Sequence, residues 1–484
     1  LRIGKIVRFL SRHCLKVLYV WGGAWWLFVA YLIMCFSFGK FASEKINIKS
    51  AIMRKSLFLI LGLALAVMAN AGTREDFKAN YKQAANNYYA YPDQNLPALT
   101  AAPEGYTPFY IDHYGRHGSR WLIDPKQYSS TVAILSKADS VGKLSARGKA
   151  ALATLKEVDA ASYKRLGELS DIGAEQHQRI ATRMYKNYPE VFAGDAAVDA
   201  RSTVVIRCIL SMQNAVTTLK GFNPQLRITT DASEHDMYFM NYDDPVAKRL
   251  RSTAYKTQEK ALKDKYLQPK RLFRTLFTDS KWAMANVKKP QKFMLDLFDV
   301  VGNMQSHHQF ENVDLYNLFS EEDRLKVWEY NNIRWYFWAG STPLTKNRMP
   351  YMEANLLRNF ITTADKAILD GKNCATLRFG HESVVLPLVC LMGLNNMDYS
   401  TADLASLTDK WQSYKVFPMA ANVQWIFFRK AGSPILVKFL LNEHEATLPE
   451  AVKPVTGPYY KWDEVKAYFE EKLADEPQVE IPEK

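Results

Sequence analysis

At 484 residues, with 48% apolar and 13% aromatic side chains, the chain can fill one large core or two ordinary ones, which excludes disorder beyond its ends. The net charge of +13 raises nucleic acid as a partner, but residues 1–71 hold ten Lys/Arg against Glu44 alone, leaving only +4 for residues 72–484. A body so nearly balanced excludes a global nucleic-acid-binding protein.

The N-terminal stretch reads in two parts. Residues 17–38, with Trp21, Trp25, Trp26 and Phe28, form an apolar run long enough to span a bilayer. Met53-Arg54-Lys55, the apolar run from Leu57 to Met68 and Ala69-Asn70-Ala71 have the charged start, short apolar segment and small-x-small cleavage site of a secretory signal. The preferred reading starts synthesis at Met53, makes residues 1–52 a leader extension or not part of the native protein, and cleaves residues 53–71 after Ala71. A true membrane anchor at 17–38 is the alternative. Either way the body leaves the cytoplasm for the periplasm or the exterior, with no stable membrane association expected of the mature chain. Of five cysteines, Cys208, Cys374 and Cys390 follow the leader, each in apolar sequence, and they allow at most one disulfide.

From residue 73 the spacing predicts a helix and a proline-punctuated approach to a central strand at Phe109–Asp112. Helices follow at Tyr128–Ser136, Ala146–Val158 and Ala174–Tyr188, the last capped by Ser170 or Asp171. A strand at Ala196–Ala200 feeds a helix from about Thr203 to Leu219, and another strand covers Leu226–Thr230. Residues 233–352 carry helical patterning at Pro245–Lys263, Ala283–Asp299 and Asp323–Trp338 with little strand signal, and read as an all-helical insert over the strand ends. Its Lys256, Lys260, Lys263 and Lys265 could meet a polyanion, although such runs are more often solvated helix faces. The core, residues 72–232 and 353–484, resumes with a helix from Met352 to Leu369. The strand Cys374–Gly380 and a helix over Val384–Met392 come next, then strands at Val423–Phe428 and Ile435–Leu440 and a helix at Trp462–Leu473. The fold class is α/β, a mostly parallel sheet flanked by helices.

Chemistry concentrates at Tyr110-Ile111-Asp112-His113-Tyr114-Gly115-Arg116-His117-Gly118-Ser119-Arg120. A histidine beside one arginine, with another arginine three residues on, suits attack on phosphorus: guanidinium groups neutralise the phosphoryl oxygens that would repel a nucleophile. Cys374 to Ser383 repeats the plan of strand, glycine and charged pair. Three His-acid pairs could supply a proton to a leaving alcohol: His235-Asp236, His381-Glu382 and His444-Glu445. His381-Glu382 alone follows a strand and a glycine and precedes an apolar helix, so its side chains emerge at a strand's carboxyl end, where open α/β sheets bind ligands.

Arg116-His117-Gly118-Ser119-Arg120 resembles the signature of the histidine acid phosphatases, the branch of the histidine phosphatase superfamily that includes phytases and multiple inositol polyphosphate phosphatases. The family's proline two residues after the second arginine is replaced here by Leu122, and its His-Asp or His-Ala-Glu pattern by His381-Glu382-Ser383. Gly167-Glu168-Leu169-Ser170 before a glutamine-bearing helix is also similar to the family. So are Asn422-Val423-Gln424 and Leu441-Asn442-Glu443. The resemblance implies a phosphoglycerate-mutase-like α/β core and a phosphomonoesterase with no cofactor. His117 would be transiently phosphorylated, Arg116, Arg120, Arg201 and His381 would hold the phosphate, and Glu382 would act as acid and then base. Arg201 takes the third guanidinium role from the family's Arg-Ser/Thr segment, with Arg207 its rival. A small-molecule substrate is implied, phytate or a related inositol polyphosphate, against a broader sugar-phosphate or general monoester phosphatase.

Two other readings compete. His113 and His117, four apart, could be zinc ligands of a hydrolase, but the residues between them lack a catalytic glutamate, and His307-His308 has no carboxylates at ligand spacing. A secreted binding protein of the same fold would capture phosphate esters without turnover, and an intact Glu382 argues against it.

Overall fold

A computed structural model describes residues 72–93 and 96–479. The leader extension, the signal at 53–71 and the apolar run at 17–38 lie outside the described residues. No described helix is long and apolar enough to cross a membrane.

Eight strands form one sheet in the order β3-β2-β4-β1-β5-β6-β7, with β8 pairing β6. The strands are β1 Thr107–Arg116, β2 Ala197–Ser202, β3 Arg227–Asp231, β4 Cys374–Gly380, β5 Asn422–Arg429, β6 Leu436–Leu441, β7 His444–Ala446 and β8 Tyr460–Lys461. The four from β3 to β1 are parallel, and β5, β6 and β7 run antiparallel beyond them. Strand β1 is longer than its apolar run implies. Every residue from Tyr110 to Arg116 has a partner in β4, so pairing carries the strand through His113, Gly115 and Arg116, whose composition reads as loop.

The longer helices are α1 Pro125–Ser140, α2 Ala146–Ala161, α3 Asp171–Asn187, α4 Ile206–Phe222, α5 Pro245–Tyr266, α6 Pro290–Asn303, α7 Glu321–Ala339, α8 Ala354–Asp370, α9 Glu382–Met392 and α10 Trp462–Ala474. Ser170 caps α3 by accepting from the Gly173 N–H, and Ser320 and Asp323 form a reciprocal capping box on α7. Helices α5, α6 and α7 all lie between β3 and β4 in sequence. Their buried residues, such as Leu262, Phe293, Leu297 and Trp328, join the apolar cluster that covers one face of the sheet. A second cluster, with Ile111, Val198, Leu377 and Ile426, fills the other face against α3 and α4. In α5, Lys260 pairs with Asp264 and Lys263 with Glu259, so these lysines serve a solvated helix face.

One ion pair is buried between the central strands. Asp112 of β1 meets Arg378 of β4, both essentially inaccessible, and Arg378 also donates to Asn359 Oδ1 on α8 at 2.9 and 2.6 Å. It locks β1, β4 and α8 together below the strand ends. Cys208, Cys374 and Cys390 are all free.

Candidate active site

Parallel strands deliver their carboxyl ends to one edge, and register decides which residues meet there. Arg116 lies opposite Gly380 and Ser202 opposite Phe379. Beyond the strands, the His117 N–H donates to the Gly380 carbonyl (2.9 Å) and the Thr203 N–H to that of Phe379 (3.0 Å). Residues 117, 203 and 381 therefore leave the sheet side by side. Gly380 has to be glycine, because a Cβ there would lie 1.9 Å from the Tyr114 hydroxyl.

The loop after β1 is held by its backbone. Gly118 N–H donates to Ser211 Oγ (3.1 Å), Ser119 N–H to Gln176 Oε1 (2.9 Å), and Asn303 Nδ2 donates to the Arg120 carbonyl (2.9 Å). Gly118 packs against the first turn of α3 so closely that a Cβ would stand 2.2 Å from the Gly173 carbonyl oxygen. Trp121 stacks on His307 with ring centroids 3.8 Å apart.

His117 Nδ1 lies 2.8 Å from the Gly118 carbonyl, which can only accept, so Nδ1 carries the proton and Nε2 presents a lone pair. Burial, with Glu382 opposing and the Arg116 charge adding to it, pushes the imidazole well below its usual range and keeps it neutral. His381 stands next to it, ring centroids 5.8 Å apart, with Nε2 3.2 Å from Thr203 Oγ1. Burial and the neighbouring guanidinium groups lower His381 to about 4, against the opposing pull of Glu382. Glu382, the first residue of α9, places Oε2 3.1 Å from Arg116 Nε and 3.6 Å from His117 Nε2. Burial alone would raise this carboxyl, but the Arg116 charge, with Arg120 behind it, outweighs it and holds Glu382 well below the usual carboxylate range.

Arg116 Nη1 donates to the carbonyls of Asn87 (2.7 Å) and Phe417 (2.8 Å). Arg120 donates to the Trp121 carbonyl (2.9 Å) and lies over the Tyr88 ring. Arg116 Nη2, Arg120 Nε and Arg207 Nε are buried with no hydrogen-bond partner among the described residues. Orphaned donors of this kind are costly unless an anion completes them.

Arg201 does not join this cluster. It pairs with Asp199 (3.0 Å), Asp231 (3.8 Å) and Asp236. The expected helix start at Thr203 is the cause of the misplacement: β2 continues to Ser202 and α4 begins only at Ile206, leaving Arg201 within the strand beside Asp199 and Asp231. Arg207 falls in the first turn of α4, where side chains point back toward the helix N-terminus and hence the strand ends. Its charge lowers the pKa of His117, His381 and Arg116. A cation at a helix N-terminus opposes the helix dipole, and an anion bound at the same point removes that conflict. The periodicity linking Arg207 to Ser211, which holds Gly118, was the available signal.

The other histidines are elsewhere. His113 is buried in β1 against Phe379 and lowered by burial to about 3, His307 Nε2–H donates to Asn303 Oδ1 at 3.2 Å, and His308 pairs at the surface with Glu175. His117 and His113 thus share no helix, contrary to what zinc spacing requires. Among the described residues one cluster has metal-ligand spacing, His117, His381 and Glu382, with ligand atoms within 4.8 Å of one another. The guanidinium groups around it oppose a cation and favour an anion.

A family model, histidine phosphatase superfamily (branch 2), matches residues 115–442. The chain belongs to this family. It is a phosphatase. A comparison with curated protein sequences finds no significant match. Among solved structures it is similar to multiple inositol polyphosphate phosphatase of Bifidobacterium longum complexed with phosphate. That match has 20% identity and a TM-score of 0.68, and covers 82% of this chain and 98% of the other. The same enzyme complexed with inositol hexasulfate matches at 20% identity and TM-score 0.66, covering 80% and 97%. The phytase from D. castellii matches at 14% identity and TM-score 0.59, covering 82% and 85%. Likeness at these identities establishes the fold of this histidine phosphatase.

Proposed function

We propose that this phosphatase hydrolyses phosphate monoesters through a phosphohistidine on His117, acting on phosphorylated polyols, with inositol phosphates first among them. The observation that carries the reading is the Glu382 carboxylate, which sits between Arg116 and His117 Nε2 and occupies the anion position of a cage with unfilled guanidinium donors. A phosphoryl group entering the cage takes over those donors and displaces Glu382. Its negative charge then raises the carboxyl's pKa, so Glu382 enters the reaction protonated.

In the first step the bond from His117 Nε2 to phosphorus forms and the ester P–O bond breaks. Arg116, Arg120, Arg207 and His381 face the phosphoryl oxygens, and Glu382 gives its proton to the departing alcohol. In the second step water attacks phosphorus as Glu382 takes its proton. The Nε2–P bond breaks, and inorganic phosphate leaves. The electrostatic cage is the largest contribution, because its donors are already fixed and dry.

The helical segment 233–352, which we treat as an insert, contributes walls to the cavities beside the cage. The signal at 53–71 supports export to the periplasm or exterior. Trapping 32P-labelled enzyme after mixing with labelled substrate tests the reading: label retained in base and lost in acid is expected. Full phosphate release by His117→Ala rejects it.

A further inference from the structure

The two oxygens of Glu382 are divided between different neighbours. Oε2 faces Arg116 and His117, whereas Oε1 lies 3.4 Å from the side-chain amide of Asn87, a residue that precedes the span matched by the family model. An amide beside a carboxylate turns its N–H toward it, so Asn87 Nδ2 donates. The Asn87 carbonyl in turn accepts from Arg116 Nη1 at 2.7 Å. One residue thus grips both members of the Arg116–Glu382 pair, the arginine through its main chain and the acid through its side chain.

The chain around Asn87 presents both groups at once. Tyr81–Tyr88 is a 3₁₀-helical segment broken at Asn86, whose φ of 58° and ψ of −118° suit glycine better than a residue with a Cβ. Asn86 is 1% exposed, and its Oδ1 accepts from Ser413 Oγ (2.8 Å), which holds the kink in place. Past the kink, the Tyr89 carbonyl accepts from the Met419 N–H (2.7 Å), the Ala90 N–H donates to Gln305 Oε1 (3.0 Å) and the Tyr91 hydroxyl donates to Glu443 Oε2 (2.9 Å). Asn87 is therefore fixed on both sides, and its side chain stands at the wall of a cavity of about 610 Å³ beside the cage.

This division decides which oxygen can carry a proton. A phosphoryl group entering the cage takes the place of Oε2 at Arg116 and His117, but it does not compete for the Asn87 amide. With Oε1 kept as an acceptor, the proton of the carboxyl goes to Oε2, the oxygen that faces the cage. Resting on the phosphomonoesterase reading, we infer that Asn87 is a positioning residue for the acid, its amide holding Glu382 Oε1 so that Oε2 delivers the proton to the departing alcohol.

A donor on a carboxyl also favours its charged form, so the Asn87 amide lowers the pH at which Glu382 gives up its proton. The other groups acting on this carboxyl are the charges of Arg116, Arg120 and Arg207, the imidazoles of His117 and His381, the Tyr88 hydroxyl and the Cys208 thiol. Replacing the Asn87 side chain removes none of them, and it leaves the Asn87 carbonyl on Arg116.

The test measures kcat against pH on inositol 1-phosphate and on 4-nitrophenyl phosphate, whose leaving group needs no proton, for the wild type and Asn87→Ala, each with and without Glu382→Gln. In Asn87→Ala the ratio of kcat on inositol 1-phosphate to kcat on the aryl ester should fall at least about fivefold. That ratio does not depend on the fraction of folded enzyme. The alkaline limb on inositol 1-phosphate should move up by about half a pH unit or more, and further in Asn87→Asp, which sets a second carboxyl beside the first. In the Glu382→Gln background Asn87→Ala should not lower the ratio further. An unchanged ratio with an unmoved limb in Asn87→Ala overturns the inference, as does an equal fall of the ratio when Glu382 is already glutamine. If Glu382→Gln itself leaves the ratio at its wild-type value, or the wild type releases no phosphate from the aryl ester, the reading on which the inference rests is what fails.

Discussion

Arg116 Nε stands 3.1 Å from Glu382 Oε2, so an internal carboxylate neutralises the arginine that precedes the candidate nucleophile. The pair joins the carboxyl ends of two neighbouring strands, one residue before His117 and one after His381. On the proposed mechanism, a phosphate that enters the cage breaks this pair.

His117→Ala should lower kcat at least ~10³-fold on every ester, since it removes the imidazole Nε2 that forms the proposed covalent intermediate. Quenched-flow trapping should find no phosphoenzyme in this variant. A variant that keeps its burst would move the nucleophile elsewhere.

Glu382→Gln should lose about 10²- to 10⁴-fold in kcat on alkyl phosphates. The loss should be far smaller on 4-nitrophenyl phosphate, whose leaving group departs without a proton. Rates plotted against leaving-group pKa should steepen in the variant, and parallel plots would exclude proton donation by this residue.

Arg207→Ala and Arg201→Ala separate the two candidates for the third guanidinium. Removing Arg207 should cost about 2–4 kcal/mol of transition-state stabilisation, in line with loss of one preorganised donor. Removing Arg201 should change kcat/KM by less than about fivefold while weakening the junction with Asp199, Asp231 and Asp236. Steady-state kinetics on both variants decides, and the opposite ranking would restore Arg201.

Asp112→Ala should destabilise the fold by roughly 3–5 kcal/mol, because it strands the buried Arg378 guanidinium. Urea unfolding measures this, and the double variant Asp112→Leu/Arg378→Met should recover part of the loss. A single variant as stable as the wild type would mean that Arg378 finds other partners.

The pH dependence follows from two neutral histidines. In the unfolded chain a histidine titrates near 6.5, whereas in the fold His381 is lowered to about 4 and His117 is held well below its usual range. Between those values the unfolded state binds more protons, so stability should fall as pH drops from about 6.5 to 4. Both histidines nevertheless stay neutral in the folded enzyme, and activity should persist through that window. An acid limb of kcat/KM with its midpoint near 6.5 would contradict this.

Much of the cage was readable in residues 116–120 and 381–382, where residue type and local order are enough: a strand, a glycine and charged side chains at a strand's carboxyl end define a site within a few bonds. The parallel α/β plan was readable for the same reason, since alternation of apolar strands and amphipathic helices is a short-range pattern. Arg207 was not, because its place depends on how far β2 runs, and that is set by pairing with β4 across 170 residues of chain. Nor was the length of β1, whose polar end is held by hydrogen bonds to β4 and β5 and not by its own composition. Lys256, Lys260, Lys263 and Lys265 read as possible contacts for a polyanion, yet the tertiary structure pairs Lys260 with Asp264 and Lys263 with Glu259 on the surface of α5. Which side of a helix faces a site is decided by packing against the rest of the molecule, so the chemistry was legible along the chain and the shape and charge of the substrate's surroundings were settled only by folding.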